Sequence, residues 1–359
     1  MFKIIRYISK AYVITWLTLV FGFLTLIGLL DSLANGGDIV KSGGGFSDTF
    51  RYMFLRAPVI FDRIFVFTLI VAVLLTFVKF IRNHELVAFL GFGLSATKQV
   101  LLMTPAVVGA AIISIIFIDI AVAPAVRSLQ TWGIGEYKIK NVTPKNPLWI
   151  EDNGAIIRAE DRVDFETLGD MKFFFRDNSG TVTKIWHVKR AHYVEPNWEL
   201  SGVEELEIKG EANVARSLTP VAGVETWETL QTPTSIARLA AEPRDLSLAE
   251  MRVFSKRGNS GSKPNFAYKF WHAHRITRPL AAFILLVACT ALMQRTRRED
   301  TGNKALIIGI TMAFIFLIID GAMATFAVSG GLAVLPAIAL PLVFFGCGGA
   351  YMLLRTESL

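Results

Sequence analysis

Cysteine is nearly absent. The chain holds Cys289 and Cys347 alone, both inside apolar runs. Neither a disulfide framework nor a cysteine-based metal site can be read from them, and both read as small apolar packing residues. Nucleotide chemistry lacks its usual loop, since GxxxxGK followed by Ser or Thr does not occur. His84-Glu85 opens HELVA, but a zinc-protease HExxH needs His where Ala88 stands. No GxSxG elbow occurs either. His272 and His274 lie two apart at the start of an apolar run, which puts them on different helix faces and argues against shared metal ligation. They read as interfacial residues. A basic face for nucleic acid is missing too. From 128 to 270 there are 19 Lys and Arg against 20 Asp and Glu, although the whole chain carries +7. The positive excess therefore flanks the apolar runs, as topology-setting charges do, and nucleic acid is excluded as a partner.

What is present is apolar length. The chain is 53% hydrophobic, above the roughly 45–50% of soluble proteins, and the surplus is gathered in windows of about 20 residues, the length that crosses a hydrocarbon core. The sequence predicts an α-helical polytopic membrane protein with six transmembrane helices, near 11–30, 59–80, 100–124, 276–293, 305–327 and 332–354. The first run follows Lys3, Arg6 and Lys10. It is longer than the roughly 7–15 residues of a signal-peptide core, so it reads as an uncleaved helix. Residues 35–56 are Gly-rich and polar and read as a loop with a short interfacial helix.

Between 127 and 265 no run is long enough to span. PLWIED, Asn153-Gly154 and AIIRAED read as a hairpin with a type I′ turn. MKFFFRD, DNSG and TVTKIWHVKRAHYVE read as a second hairpin, and WELSGVEELEIKG continues with apolar and charged residues alternating at period two. This is a β-rich domain of sandwich or jellyroll size. LSLAEMRVFSKRG follows as a short amphipathic helix, with Ser247 and Glu250 placed for a capping box, and GNSGSKPN is a linker. The organisation is thus helices 1–3 over 1–126, an inserted β-domain with linker over 127–265, and helices 4–6 over 266–359.

Charge counting orients the chain. With the N-terminus in the cytoplasm, the inner segments carry Lys3, Arg6, Lys10, Lys79, Arg82, Lys98, Arg295, Arg297, Arg298, Lys304 and Arg355. The outer loops carry Lys41, Arg51 and Arg56, with Arg127 flanking. Both termini are then cytoplasmic and the β-domain lies outside.

Two features fit no simple span or loop. RNHELVAFLGFGLSATKQV, 82–100, is too short and polar to cross a bilayer and too apolar for a free loop. Leu86, Phe89 and Leu90 form one helical stripe, and Glu85 suits the helix N-terminus. Such a helix docks on a soluble partner or lies on the membrane surface. The second feature is charge in or near the spans, at Asp31, Asp62-Arg63, Asp119 and Asp320. Residues of this kind usually face an interior or cavity. They suit handling of a polar group near the outer leaflet, or simple snorkelling and helix pairing.

These elements together resemble a known family. The EL-V pattern of Glu85-Leu86-Val87 ending at Gly93-Leu94-Ser95, Val122-Ala123-Pro124, LWIEDNG at 148–154, WELSGV at 198–203 and the Asp of FLIIDG at 316–321 are similar to the LptF/LptG permeases of lipopolysaccharide export, in order along nearly the whole chain. Asp31-Ser32 looks more like the LptG half.

The resemblance implies a permease subunit that is not itself an enzyme. It would extract lipopolysaccharide from the outer leaflet of a Gram-negative inner membrane through ATP hydrolysis on a partner. Implied partners are an LptF-like paralogue, a dimeric LptB-like ABC ATPase that binds the ATP and magnesium, and LptC-like and LptA-like bridge proteins. No cofactor or metal is implied in this chain. The β-domain would be a periplasmic jellyroll. His84, Glu85, Leu86, Phe89, Leu90 and Gly93 would form the ATPase-coupling helix, near 84–95. The first and fifth helices would line the gates, with Asp31, Lys41 and Asp320 near substrate entry. Phe92 departs from the family's small residues before the glycine. Lys41, with Asp31 and Asp38 nearby, departs from its lysine-rich first loop, so headgroup reading would shift to Arg51 or Arg56. The alternatives are the LptF-like half of the same complex, or a membrane-anchored structural or sensing protein that displays a β-domain.

Overall fold

A computed structural model describes residues 2–134, 137, 142–145, 147–152, 154–177, 180–209, 213–214, 219–220, 225–229, 231–256, 263–296 and 302–357. Asn153 of the first expected turn, 178–179 of the second, the linker centre 257–262 and the loop centre 297–301 lie outside them.

Six helices are long and apolar enough to cross a membrane: α1 (Phe2–Lys41), α2 (Phe46–Arg82), α4 (Ala96–Trp132), α7 (Asn265–Thr296), α8 (Gly302–Val328) and α9 (Val334–Glu357). A short helix, α3 (Glu85–Gly91), lies between α2 and α4. The helices outrun the expected spans. With 40 residues, α1 extends about 60 Å, twice the hydrocarbon thickness. The polar loop expected over 35–56 is therefore a correction. Helix α1 continues to Lys41, the reversal occupies 42–45, and α2 starts at Phe46.

The physical reason is that a glycine inside an established helix costs only about 1 kcal/mol, so Gly36 and Gly37 do not stop it. Gly43 does, because the chain turns there with φ +79°. The turn is completed by Gly44, where a side chain would meet the Ile39 carbonyl at 2.9 Å. Asp48 then reaches back to the Gly45 N–H at 2.8 Å and opens α2.

The chain forms two compact units. The first comprises Met1–Ala34, Arg56–Ala121 and Lys269–Leu359. Its centre is α2, where Phe65, Leu69, Ile70, Ala72, Val73 and Leu74 are all buried. A helix that is apolar all round must be covered all round, and 67% of its apolar window is buried against 17% in α1 and in α8. Small residues allow close helix approach. Added bulk at Gly309 would meet Leu74 Cδ2 at 2.5 Å, and at Gly349 the Ala288 backbone at 3.0 Å.

The second unit comprises Asn35–Leu55 and Val122–Tyr268. Its sheet is antiparallel, with β1 (Leu148–Asp152), β2 (Ala155–Arg162), β3 (Thr167–Arg176), β4 (Val182–Val194) and β5 (Asn197–Lys209) paired in sequence order. The short strands β6 (Asn213–Val214), β7 (Thr219–Pro220) and β8 (Glu225–Trp227) pair with β5.

Register follows the apolar alternation. Leu148, Ala159, Met171, Val188 and Val203 align across five strands, and all five are buried. Gly154 takes φ +79°, as the expected hairpin turn requires. The sheet curls on itself. Trp227 of β8 lies 5.5 Å from Phe173 of β3 and donates from Nε1 to Asp152 Oδ2 of β1 at 3.0 Å. Trp198 is fully buried beside it and donates to the Gln231 carbonyl at 2.7 Å. Helices α5 (Pro233–Ala240) and α6 (Leu248–Lys256) follow. The capping box of α6 forms, with Ser247 N–H donating to Glu250 Oε2 at 3.0 Å and Glu250 N–H to Ser247 Oγ at 3.3 Å.

Candidate functional site

Helix α3 is built by its two stops. Helix α2 ends where His84 turns left-handed at φ 58°, a conformation His tolerates better than most residues, and Glu85 restarts the helix. At the far end Gly93 is left-handed at φ +71°. Its N–H donates to the Leu90 carbonyl at 2.8 Å and the next N–H, of Leu94, to the Phe89 carbonyl at 3.0 Å. This is a Schellman stop, and Leu94 just after it is buried. Ser95 then opens α4 by accepting from the Lys98 N–H at 3.4 Å. Gly93, Leu94 and Ser95 are thus stop, lock and start. Their spacing reflects backbone hydrogen bonding that any occupant of this turn must satisfy.

The orientation of α3 differs from the face expected to dock. Leu86 is 1% exposed within the chain itself, and Phe89 packs edge-on to buried Phe80 at 5.4 Å. The stripe of Leu86, Phe89 and Leu90 therefore includes the anchor of α3 on α2. The outward apolar side chains are Val87, 60% exposed, and Phe92, 78% exposed. Glu85 is engaged by side chains of the same chain, with Tyr7 Oη donating to its Oε2 at 2.9 Å and Asn83 Nδ2 to its Oε1 at 3.0 Å. Phe92, a departure from the family pattern in sequence, is the most exposed apolar side chain of the segment.

The intramembrane acids each find a cation. Asp62 pairs with Arg278 at 2.6 Å, both side chains 4% exposed. Asp119 pairs with buried Arg275 at 3.4 Å, and Asp320 with His274 at 3.1 Å. All three cations stand in the first half of α7, and the acids come from α2, α4 and α8. Helix α7 is therefore an ionic hub that ties three neighbouring helices. His274 is stacked on Phe270 at 5.3 Å. Pro279 within α7 removes the hydrogen bond that would have closed on the Arg275 carbonyl.

Of the residues expected near substrate entry, the structure brings two together. Arg56 donates to Asp31 through Nε at 2.7 Å and Nη2 at 3.2 Å. Arg56 is only 5% exposed, so within this chain its guanidinium faces Asp31 and not open surface. Its fork is occupied by Asp31, the geometry in which Arg binds carboxylates best. Arg51 is exposed, with its guanidinium 4.7 Å from the Trp132 ring centre. Lys41 closes α1 and is also exposed. Asp320 joins neither Asp31 nor Arg56 but His274, which the sequence reading had set aside as interfacial.

The arrangement of six spanning helices, α3 between the second and third, and a β-domain between the third and fourth matches a known pattern. The family model described as lipopolysaccharide export system permease LptF/LptG matches residues 6–355. The chain belongs to the LptF/LptG family. Lipopolysaccharide export system permease protein LptG of Escherichia coli K12 is 20% identical over 98% of this chain and 97% of its own length. The LptG protein of Escherichia coli O6:H1 matches to the same extent. This member of the LptF/LptG family is thus a multi-pass membrane permease subunit, and α3 occupies the place where the resemblance had put the coupling helix.

Sequence reasoning missed the hub. It noted the acids at 62, 119 and 320, set His272 and His274 aside as interfacial, and passed over Arg275 and Arg278 in WHAHRITRP. The signal was available. Arg275, Arg278 and His274 inside a spanning helix each need a partner, and the acids at 62, 119 and 320 were available. Gln99 and Gln294 were also missed. Gln294 Nε2 donates to Gln99 Oε1 at 2.6 Å, and Gln99 Nε2 to the Leu94 carbonyl at 3.0 Å, with both side chains buried.

Proposed function

We propose that this chain is the LptG-like half of an inner-membrane lipopolysaccharide exporter and couples ATP hydrolysis on a partner ATPase to lipid extraction. The observation that carries the reading is α3, a short helix between two spans whose Val87 and Phe92 are exposed. An apolar pair raised between two spans suits a groove on a soluble protein. In this reading α3 lies in the cytoplasm, as do both termini, and the β-domain lies in the periplasm, where it passes lipid to LptC-like and LptA-like bridge proteins. ATP and magnesium belong to the partner, a dimeric LptB-like ATPase.

Two further features support the reading. Helices α1 and α8 are the least covered of the six, which suits surfaces that meet an LptF-like paralogue and part to admit lipid. The Asp31–Arg56 pair and the Asp320–His274 pair then stand beside those surfaces, on α1 and α2 and on α7 and α8. Pairs of this kind can exchange partners with a charged headgroup, while Lys41 and Arg51 remain exposed. The similarity to two LptG proteins supports the G-like half.

The test is a detergent pull-down of the tagged chain from native membranes, with mass spectrometry of proteins and lipids. Recovery of an ABC ATPase, a second six-helix permease and lipopolysaccharide is the expected result, and the paralogue recovered decides between the two halves. A chain that emerges without an ATPase in any detergent would overturn the reading in favour of an anchored β-domain. Within the recovered complex, Glu85→Ala lowers ATPase retention or lipid-stimulated hydrolysis.

A further inference from the structure

Helix α3 is tied to the rest of its unit at both ends by contacts the coupling role does not require. At its start, Glu85 accepts from Tyr7 Oη at 2.9 Å, and the Tyr7 ring stacks on Phe80 at 6.2 Å. Phe80 also packs edge-on to Phe89 at 5.4 Å. One buried ring therefore joins α1, α2 and α3, and one hydrogen bond from α1 closes on the carboxylate. At its end, the Leu94 carbonyl accepts from Gln99 Nε2, and Gln99 Oε1 accepts from Gln294 Nε2 of α7 at 2.6 Å.

A buried amide pair is a costly way to fill space, since apolar residues of similar shape would do so without needing partners. It does fix one relative position of two elements. Helix α7 carries the ionic hub, and α1 carries Asp31.

We propose that Tyr7 and the Gln99–Gln294 pair are positioning residues that make α3 pull on α1 and α7 directly. The inference rests on the coupling role of α3. Movement of α3 by a partner is transmitted at Glu85 through Tyr7 to α1, and at Leu94 through the two glutamines to α7. Without the ties α3 can tilt on its partner while the spanning helices stay in place. The ties therefore govern lipid moved per ATP hydrolysed, separately from whether the ATPase is held.

The experiment uses the complex recovered through the tagged chain, reconstituted in vesicles containing lipopolysaccharide. Phosphate release and lipid extracted are measured together, at equal amounts of retained ATPase. Tyr7→Phe keeps the ring stack and removes the hydroxyl. It lowers lipid extracted per phosphate by about threefold, the scale of a coupled contact, and adding it to Glu85→Gln produces no further loss. Gln99→Leu with Gln294→Leu removes the buried amides together and lowers the same ratio. An unchanged ratio in both Tyr7→Phe and the double variant, with the ATPase retained, overturns the inference and leaves the coupling reading intact. A wild-type chain that retains no ATPase overturns both.

Discussion

At the level of single residues, the acids at 31, 62, 119 and 320 in the spanning helices are each paired with a cation of another helix. The Asp62–Arg278 pair shows what this means energetically. Both side chains are 4% exposed at 2.6 Å separation, so removing the Asp62 charge leaves the Arg278 guanidinium buried without that carboxylate. Asp62→Asn is expected to lower stability by about 3–5 kcal/mol, seen as a lower melting temperature or loss of folded chain in detergent. Asp62→Leu combined with Arg278→Met recovers most of that loss, because the cost lies in the orphaned charge and not in the missing pair.

Gly93 makes the complementary backbone case. Its φ of +71° is strained for any side chain, although space is open around it. Gly93→Ala costs about 1–2 kcal/mol locally, and amide hydrogen exchange over 88–95 becomes faster. Gly93 was legible in the sequence as part of a motif; its physical role as a Schellman stop needed the Leu94 and Phe89 hydrogen bond.

At the level of elements, local chemistry and distant partners divide the work. The α6 start was readable from Ser247 and Glu250 three residues apart. Ser247→Ala removes the side-chain half of the box and costs about 1 kcal/mol, measurable as a lower unfolding temperature. The sequence could not give the second role of Glu250, whose Oε1 also accepts from Arg127 at 2.7 Å.

On the sheet, Glu205 accepts from Lys184 at 2.8 Å and from Trp186 Nε1 at 2.8 Å. The Lys184 contact, then the indole, holds its carboxyl below the usual carboxylate range. A carboxyl depressed in the folded state stabilises above its unfolded pKa and loses that contribution as pH falls through the folded value. Glu205→Gln is therefore expected to flatten the acid side of the stability–pH curve below about pH 5, with a small effect because the group is near solvent. Thermal melts of both proteins from pH 7 to pH 3 check this.

At the level of the whole molecule, the chain alone leaves its spanning helices unequally covered. The share of the apolar window buried is 67% in α2 but 17% in α1 and in α8. A partner that binds the folded chain and not the unfolded one stabilises it by mass action. The chain purified with a bound permease paralogue is expected to melt several degrees higher than the chain alone, and to show slower exchange in α1 and α8 than in α2 relative to the free form. Equal melting temperatures would remove the assigned use of those faces. The two units also differ in kind. One is a helical bundle organised by α2 and pinned by the hub, and the other a curled sheet closed by Trp227 on Asp152.

The sequence by itself determined the six spanning segments, the β-rich insertion, its hairpins and the α6 cap. These depend on hydrophobic length, on period, and on residues within a few positions of each other. Tertiary structure alone decided where α1 ends, which face of α3 is turned outward, and which charge meets which. Asp62 and Arg278 are 216 positions apart and Gln99 and Gln294 are 195. Local composition names such a residue as one in need of a partner, but the packing of helices around α2 chooses the partner, because a buried charge or amide accepts only a group brought within hydrogen-bond reach.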